Sequence, residues 1–251
     1  MMGNMSVTPE LTVCADESHL AETAAQAVVE AAQAAVAARG RFMLALAGGR
    51  TPRDTYRRLA ESPHREAMPW PETFVFFGDE RCVPPDDPDS NFRMAREALL
   101  DKVPLPPRQL FPMVGDALDP DVAAAAYART LAETFETRRG ETPRFDLVML
   151  GMGLDGHTAS LFPGSPVLKE VFRPVAAVHA AAAAIPQRLT LTLPVFNAAA
   201  QVIFLVAGAE KAKAVKAVLR DGALLPAALV RPHAGRLRWI LERAAASLTR
   251  G

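Results

Sequence analysis

The chain has 251 residues, half of them hydrophobic, with Lys+Arg and Asp+Glu balanced at 28 each. That length suffices to bury a sizeable core, and a zero net charge removes the global field that favours nucleic acid or an anionic membrane, so any anion site is local. Cys14 and Cys82 make no disulfide framework and suit a reducing compartment, and MMGNMSVTPE has neither the basic nor the apolar region of a secretory signal, so the expectation is a soluble, cytoplasmic protein.

LTVCA (Leu11–Ala15) opens the chain as a weak strand candidate, and Glu17–Arg39 follows as a helix. Its alanine-rich part is interrupted by Glu22, Gln26, Glu30 and Gln33, the mark of an amphipathic helix and not of a membrane span. FMLALA (Phe42–Ala47) reads as a strand, then Pro52–Glu61 as a helix, TFVFFG (Thr73–Gly78) as a strand and Asn91–Lys102 as a helix. After a Pro-rich surface connection over Pro104–Pro112 come a helix over Asp121–Arg139 and a strand in FDLVMLG (Phe145–Gly151). His179–Pro186 reads as a connection or a short helix, and RLTLTLP (Arg188–Pro194), which alternates, as a solvent-facing or edge strand. QVIFLVAG (Gln201–Gly208), a helix over Glu210–Arg220, a weak strand in RLRWILE (Arg236–Glu242) and a helix over Glu242–Leu248 complete the chain. Unbroken apolar runs suit strands buried on both faces of a parallel sheet. Their alternation with helices predicts a three-layer α/β/α sandwich around a mainly parallel, Rossmann-like sheet. With no repeat or long linker, residues 1–251 are expected to form a single domain.

Ligands of open parallel sheets bind beyond the carboxyl ends of the strands, and four loops leave such ends. In AGGRTPRD, Gly48, Gly49, Arg50 and Thr51 lead to a helix start with Thr51 as cap and Pro52 behind it, an arrangement suited to phosphate and equally to a well-capped turn. In GDERCVPPDDPDSN, Asp79, Glu80 and Arg81 crowd two carboxylates and a guanidinium, suited to oxyanion recognition or to a structural ion pair. Asp86, Asp87 and Asp89 lack a calcium-loop pattern and read as a solvated acidic loop. The third loop, GMGLDGHTASLFPGSP, contains a literal G-x-G-x-x-G, but Pro163 follows Gly156 by seven residues, too soon for the helix that a dinucleotide fingerprint needs. What remains there is a glycine-rich loop with Asp155 and His157 two apart, a candidate for general acid–base work. The fourth, AGAEKAKAVK, holds three of the chain's five lysines, and Lys211 in a first helical turn makes sense opposite a bound anion, though two solvated lysines are the plainer alternative. No G-x-S-x-G elbow, H-E-x-x-H pair or aromatic-interleaved basic patch occurs, so serine-hydrolase chemistry, a catalytic metal and RNA are not indicated.

Together these loops resemble the 6-phosphogluconolactonase family, within the wider group that includes glucosamine-6-phosphate deaminase. The resemblance is carried by LALAGGRTPRDTY, FFGDERCVPPDDPDSNFRMA, FDLVMLGMGLDGHTASLFPGSP, RLTLTLPVFNAA and FLVAGAEKAKAV, roughly Ala45 to Ala217. D-E-R-x-V-P followed by Ser90–Asn91, and G-H-T-A-S-L-F-P at Gly156–Pro163, follow the lactonase form and not the deaminase form. One departure is Arg50, where the family's G-G-S-T-P has serine; it adds a charge to the phosphate loop or points to solvent.

The resemblance implies hydrolysis of 6-phosphogluconolactone to 6-phosphogluconate, with no cofactor and no metal. It implies His157 as general base, Asp155 orienting it, and Arg81, held by Asp79, on the substrate or the oxyanion. The phosphate is expected against Gly48, Gly49, Arg50 and Thr51, with Arg188 and Lys211 as cationic partners. The expected partner is a small sugar-phosphate lactone, with no nucleic acid or membrane, and the chain a monomer or small homo-oligomer. Amino-sugar-phosphate deamination and a non-catalytic sugar-phosphate sensor are the alternatives.

Overall fold

The computed structural model describes residues 8–116, 119–181 and 183–249; residues 1–7 of the stretch read above for a secretion signal, and Ala182 of the alanine tract, lie outside them. The described strands are β1 (Glu10–Cys14), β2 (Phe42–Leu46), β3 (Thr73–Phe77), β4 (Asp79–Arg81), β5 (Leu147–Leu150), β6 (Val175–His179), β7 (Gln187–Leu191), β8 (Gln201–Val206) and β9 (Arg236–Glu242). The described helices are α1 (Glu17–Arg39), α2 (Arg50–Leu59), α3 (His64–Ala67), α4 (Asn91–Ala98), α5 (Pro120–Phe135), α6 (Leu193–Ala198), α7 (Ala212–Leu219) and α8 (Pro226–Leu229).

Six strands form an all-parallel sheet in the order β1-β9-β8-β5-β2-β3, and three short ones an antiparallel sheet in the order β4-β7-β6. Every residue of β2 and β5 is buried, as both faces of a covered parallel sheet require. β1 at the sheet edge leaves Leu11 and Val13 exposed. RLTLTLP is not an edge: β7 sits between β4 and β6, and its alternation reflects two unlike faces of a small sheet.

The connections explain where a site can form. From β1 the chain crosses to β2 and on to β3; from β5 it runs the opposite way, to β8 and β9. Right-handed crossovers therefore place α1 and α2 on one face of the sheet and α7 on the other. The direction reverses between the neighbours β2 and β5, and their outgoing loops diverge there to leave a crevice. Gly78 joins the two sheets at this place, its N–H donating to the Leu46 carbonyl (2.8 Å) and its carbonyl accepting from Leu191 N–H (2.8 Å).

Helix ends depart from the sequence reading where backbone geometry intervenes. α1 runs as expected, capped by Asp16, whose carboxylate accepts from His19 N–H (2.8 Å), and closed by Gly40 at φ 71°. α5 stops at Phe135 because Glu136 adopts the left-handed conformation (φ 53°), so it does not reach Arg139. α4 ends at Ala98, and buried Leu99 turns the chain into a 3-10 turn over Leu100–Lys102. Residues 243–249 form turns and no helix; β9 continues through Glu242, whose carboxylate accepts from Gly208 N–H (2.7 Å). Among the described residues no helix is long and apolar enough to cross a membrane.

Candidate active site

All four loops meet. Gly48–Pro52 after β2, Gly78, Asp79 and Arg81 after β3, Gly151–Gly153 and His157 after β5, and Glu210–Lys211 after β8 line one cleft of about 310 Å³, joined by Arg188 from β7. A wider hollow of about 930 Å³ adjoins it and shares Arg81, Gly153, His157, Arg188 and Lys211. The smaller cleft adds the Gly48–Pro52 loop and Asp79 to these shared polar groups; the larger adds Asp155, His179, four alanines, two prolines and Phe162.

The third loop is a tight turn built around its histidine. Gly153 N–H donates to the His157 carbonyl (2.8 Å) and Gly156 N–H to the Gly153 carbonyl (3.1 Å). Asp155 Oδ1 accepts the His157 backbone N–H (3.1 Å) and sits 2.6 Å from Nδ1 of the ring. A Cβ on Gly153 would collide with that ring and the carboxylate, which explains the second glycine of the motif without a nucleotide. Burial pushes the Asp155 carboxyl up, but the His157 backbone N–H, its charge and its ring hydrogen bond together hold it below the usual range. In the neutral imidazole an ionised Asp155 selects the Nδ1–H tautomer, which puts the lone pair on Nε2. Nε2 has no protein partner among the described residues.

Phe162 fixes the other side of the ring. It lies against His157 at 4.6 Å between centroids, and the Arg188 guanidinium sits over the same phenyl at 5.5 Å. Arg188 is further held through Nε to the Ile185 carbonyl (2.9 Å). The sequence motif contained Phe162, but a phenylalanine next to a proline carries no chemical signal of its own.

The second loop differs in detail from expectation. Asp79 and Arg81 form no ion pair: Asp79 Oδ2 accepts from Ser160 Oγ (2.7 Å), Oδ1 accepts from Asn91 Nδ2 (3.3 Å), and Arg81 Nη1 donates to the Asp89 carbonyl. Arg81 pairs across strands with Arg188, since β4 and β7 place them opposite each other. Two guanidiniums without a carboxylate, plus Lys211, give the cleft three cations with no protein counter-ion within 4 Å among the described residues. Burial lowers the proton affinity of both Arg188 and Lys211. Glu80 does not face the cleft; its buried carboxylate accepts from Arg81, Asn91 and Phe92 N–H (2.8, 2.7 and 2.8 Å) and Ser90 Oγ (3.1 Å), so it anchors the start of α4.

In the first loop Thr51 is not the cap. α2 starts at Arg50 behind Gly49 (φ 102°), and no side chain caps it. The first-turn N–H groups are thus left for a ligand, and Pro52 supplies none. The Arg50 guanidinium turns away to Glu17 (2.9 Å). Asn91, read only as part of a family signature, also lines the cleft. Asp86 and Asp89 of the acidic loop are exposed and Asp87 is half-buried.

A parallel α/β sheet whose switch-point crevice holds a carboxylate-oriented histidine and unpaired cations defines a class of protein that handles small anionic metabolites. Comparison with known proteins narrows the class: residues 15–239 match the model of the glucosamine-6-phosphate isomerases/6-phosphogluconolactonase family, and the chain belongs to that family. It is 41% identical over 242 residues to a 6-phosphogluconolactonase of Synechocystis sp., covering 95% of this chain and 98% of that one. It is 42% identical over 245 residues to the 6-phosphogluconolactonase of Rattus norvegicus, covering 95% and 93%. The solved structure of 6-phosphogluconolactonase from Trypanosoma brucei superposes with a TM-score of 0.85 at 33% identity, covering 96% of this chain and 99% of that one.

Proposed function

We propose that this protein hydrolyses 6-phospho-D-glucono-1,5-lactone to 6-phosphogluconate, the second step of the oxidative pentose phosphate pathway, in the cytoplasm and as a monomer or small homo-oligomer. The observation that carries the mechanism is His157, whose Nδ1 is bound to Asp155 and whose Nε2 is free in a cleft of unpaired cations. Nε2 takes a proton from water, the resulting hydroxide adds to the lactone carbonyl, and the Arg81 guanidinium meets the developing oxyanion. The tetrahedral adduct then expels the ring oxygen, which receives the proton held by His157. No electrons are transferred, so the step needs no redox cofactor. Asp79 acts one layer back, tying the β5 loop to α4 through Ser160 and Asn91.

The phosphate rests on the backbone of Gly48, Gly49, Arg50 and Thr51 at the uncapped start of α2, with Arg188 and Lys211 as cationic partners. Anchoring it there uses binding energy remote from the carbonyl to hold the attack geometry. The test is the loss of freshly made lactone above its spontaneous rate, in chelator. His157→Ala is expected to lower kcat by about 10²–10⁴-fold, and Asp155→Asn to lower kcat with KM little changed. Near-normal turnover in His157→Ala would remove the base assignment. Ammonia release from glucosamine 6-phosphate, with no lactone hydrolysis, would replace this reading by the deaminase.

A further inference from the structure

Asn91 is 2% exposed, at the first position of α4, and yet lines the cleft. Its orientation is set by three hydrogen bonds: its N–H to Glu80 Oε1 (2.7 Å), and Nδ2 to the Asp79 carbonyl (2.9 Å) and Oδ1 (3.3 Å). A carbonyl and a carboxylate only accept, so the amide nitrogen must face them and the amide oxygen must face away. That oxygen, Oδ1, is buried and has no hydrogen-bond partner. It lies against Gly48, whose missing Cβ gives the Asn91 amide its place. Arg81 Nε, on another cleft-lining residue, is likewise buried without a partner.

Buried polar atoms are nearly always paired, and an orphan at a ligand cleft marks where a ligand atom belongs. An orphan acceptor beside a phosphate loop repels the phosphate itself and requires a donor. A sugar hydroxyl is the neutral group that donates to such an oxygen while accepting from an N–H. We propose that Asn91 is a specificity-determining residue, its Oδ1 accepting a hydrogen bond from a ring hydroxyl of the sugar-phosphate substrate. The inference rests on the function proposed above and deepens it: the cleft reads the sugar as well as the phosphate and the carbonyl. A site built to pair a hydroxyl rejects the analogue lacking it, because its own polar atom is then left buried and unpaired.

The experiment compares wild type, Asn91→Ala and Gly48→Ala on 6-phosphogluconolactone and its 2-, 3- and 4-deoxy analogues, with calorimetric binding of 6-phosphogluconate and the matching deoxy acids. Wild type is expected to lose about 10–100-fold in kcat/KM on one analogue. Asn91→Ala should lose a similar factor on the parent lactone and little more on that analogue. Gly48→Ala, which displaces the amide without altering it, should erase the same discrimination, so the test stands if Asn91→Ala folds poorly. Losses that multiply on every substrate, or wild-type discrimination kept in either folded variant, would overturn the inference while the lactonase reading stands. Binding without turnover moves the same comparison to the acids; neither turnover nor binding removes the functional reading and this inference with it.

Discussion

At the scale of single residues, the cleft's behaviour turns on Lys211. Burial lowers its proton affinity, while Glu210 and Asp155 pull the other way and only in part offset it. Its lowered pKa means that protonation is less favourable in the cleft than in water; a phosphate dianion reverses this. Ligand binding therefore takes up protons, and affinity falls as pH rises, beginning below the pH at which an ordinary lysine titrates. Calorimetry of 6-phosphogluconate binding from neutral to alkaline pH, in buffers of different ionisation enthalpy, should show proton uptake and this early decline. Lys211→Ala should weaken binding near neutrality and flatten the alkaline limb; an unchanged limb would place the phosphate elsewhere. Asp155 has the opposite sign. Its lowered pKa keeps the carboxylate ionised, and its contribution is lost only as pH falls through that depressed value.

At the scale of elements, the ends of α5 show what side-chain patterns can and cannot specify. Its start is announced by Asp119, whose carboxylate accepts from Asp121 N–H (2.9 Å), followed by Pro120. Its end is made by Glu136 at φ 53°, a left-handed residue that costs about 1 kcal/mol relative to glycine. Glu136→Gly is expected to raise the melting temperature by about 2–4 °C, measured by thermal denaturation with activity unchanged; a lower melting temperature would show that the Glu136 side chain holds the turn. No residue type marks that end, and the sequence pattern alone continues the helix to Arg139. By contrast, α1 was legible at both ends because Asp16 and Gly40 are the residue types that its caps require. The candidate site was legible in the same sense: histidine, carboxylate, glycines and lysine each have a chemical reason to sit in a loop. What sequence order hid was pairing. That Arg81 faces Arg188 and not Asp79, that Arg50 turns to Glu17, and that Asn91 reaches Gly48 all depend on strand register and on the direction of α4.

At the scale of the whole molecule, the cleft is the seam between two sheets. β2, β5 and β8 of the parallel sheet deliver the Gly48–Thr51 loop, His157 and Lys211, while Arg81 and Arg188 come from β4 and β7 of the small sheet. One continuous apolar core holds both, running from Val148 and Phe204 to Leu189 and Val175, and Gly78 is hydrogen-bonded to each. This supports the single-domain proposal, and it makes a thermodynamic demand. If the sheets unfold as one unit, calorimetric and van't Hoff enthalpies agree in a single transition. A ligand spanning the seam then stabilises all of it: 6-phosphogluconate at 100 times its Kd adds about 2.7 kcal/mol, or about 5–10 °C for a chain of this size. Scanning calorimetry with and without the acid measures both quantities. Two transitions, only one of them moved by ligand, would mean that the small sheet is an independent unit and that the arginines it carries reach the substrate by docking rather than by shared folding.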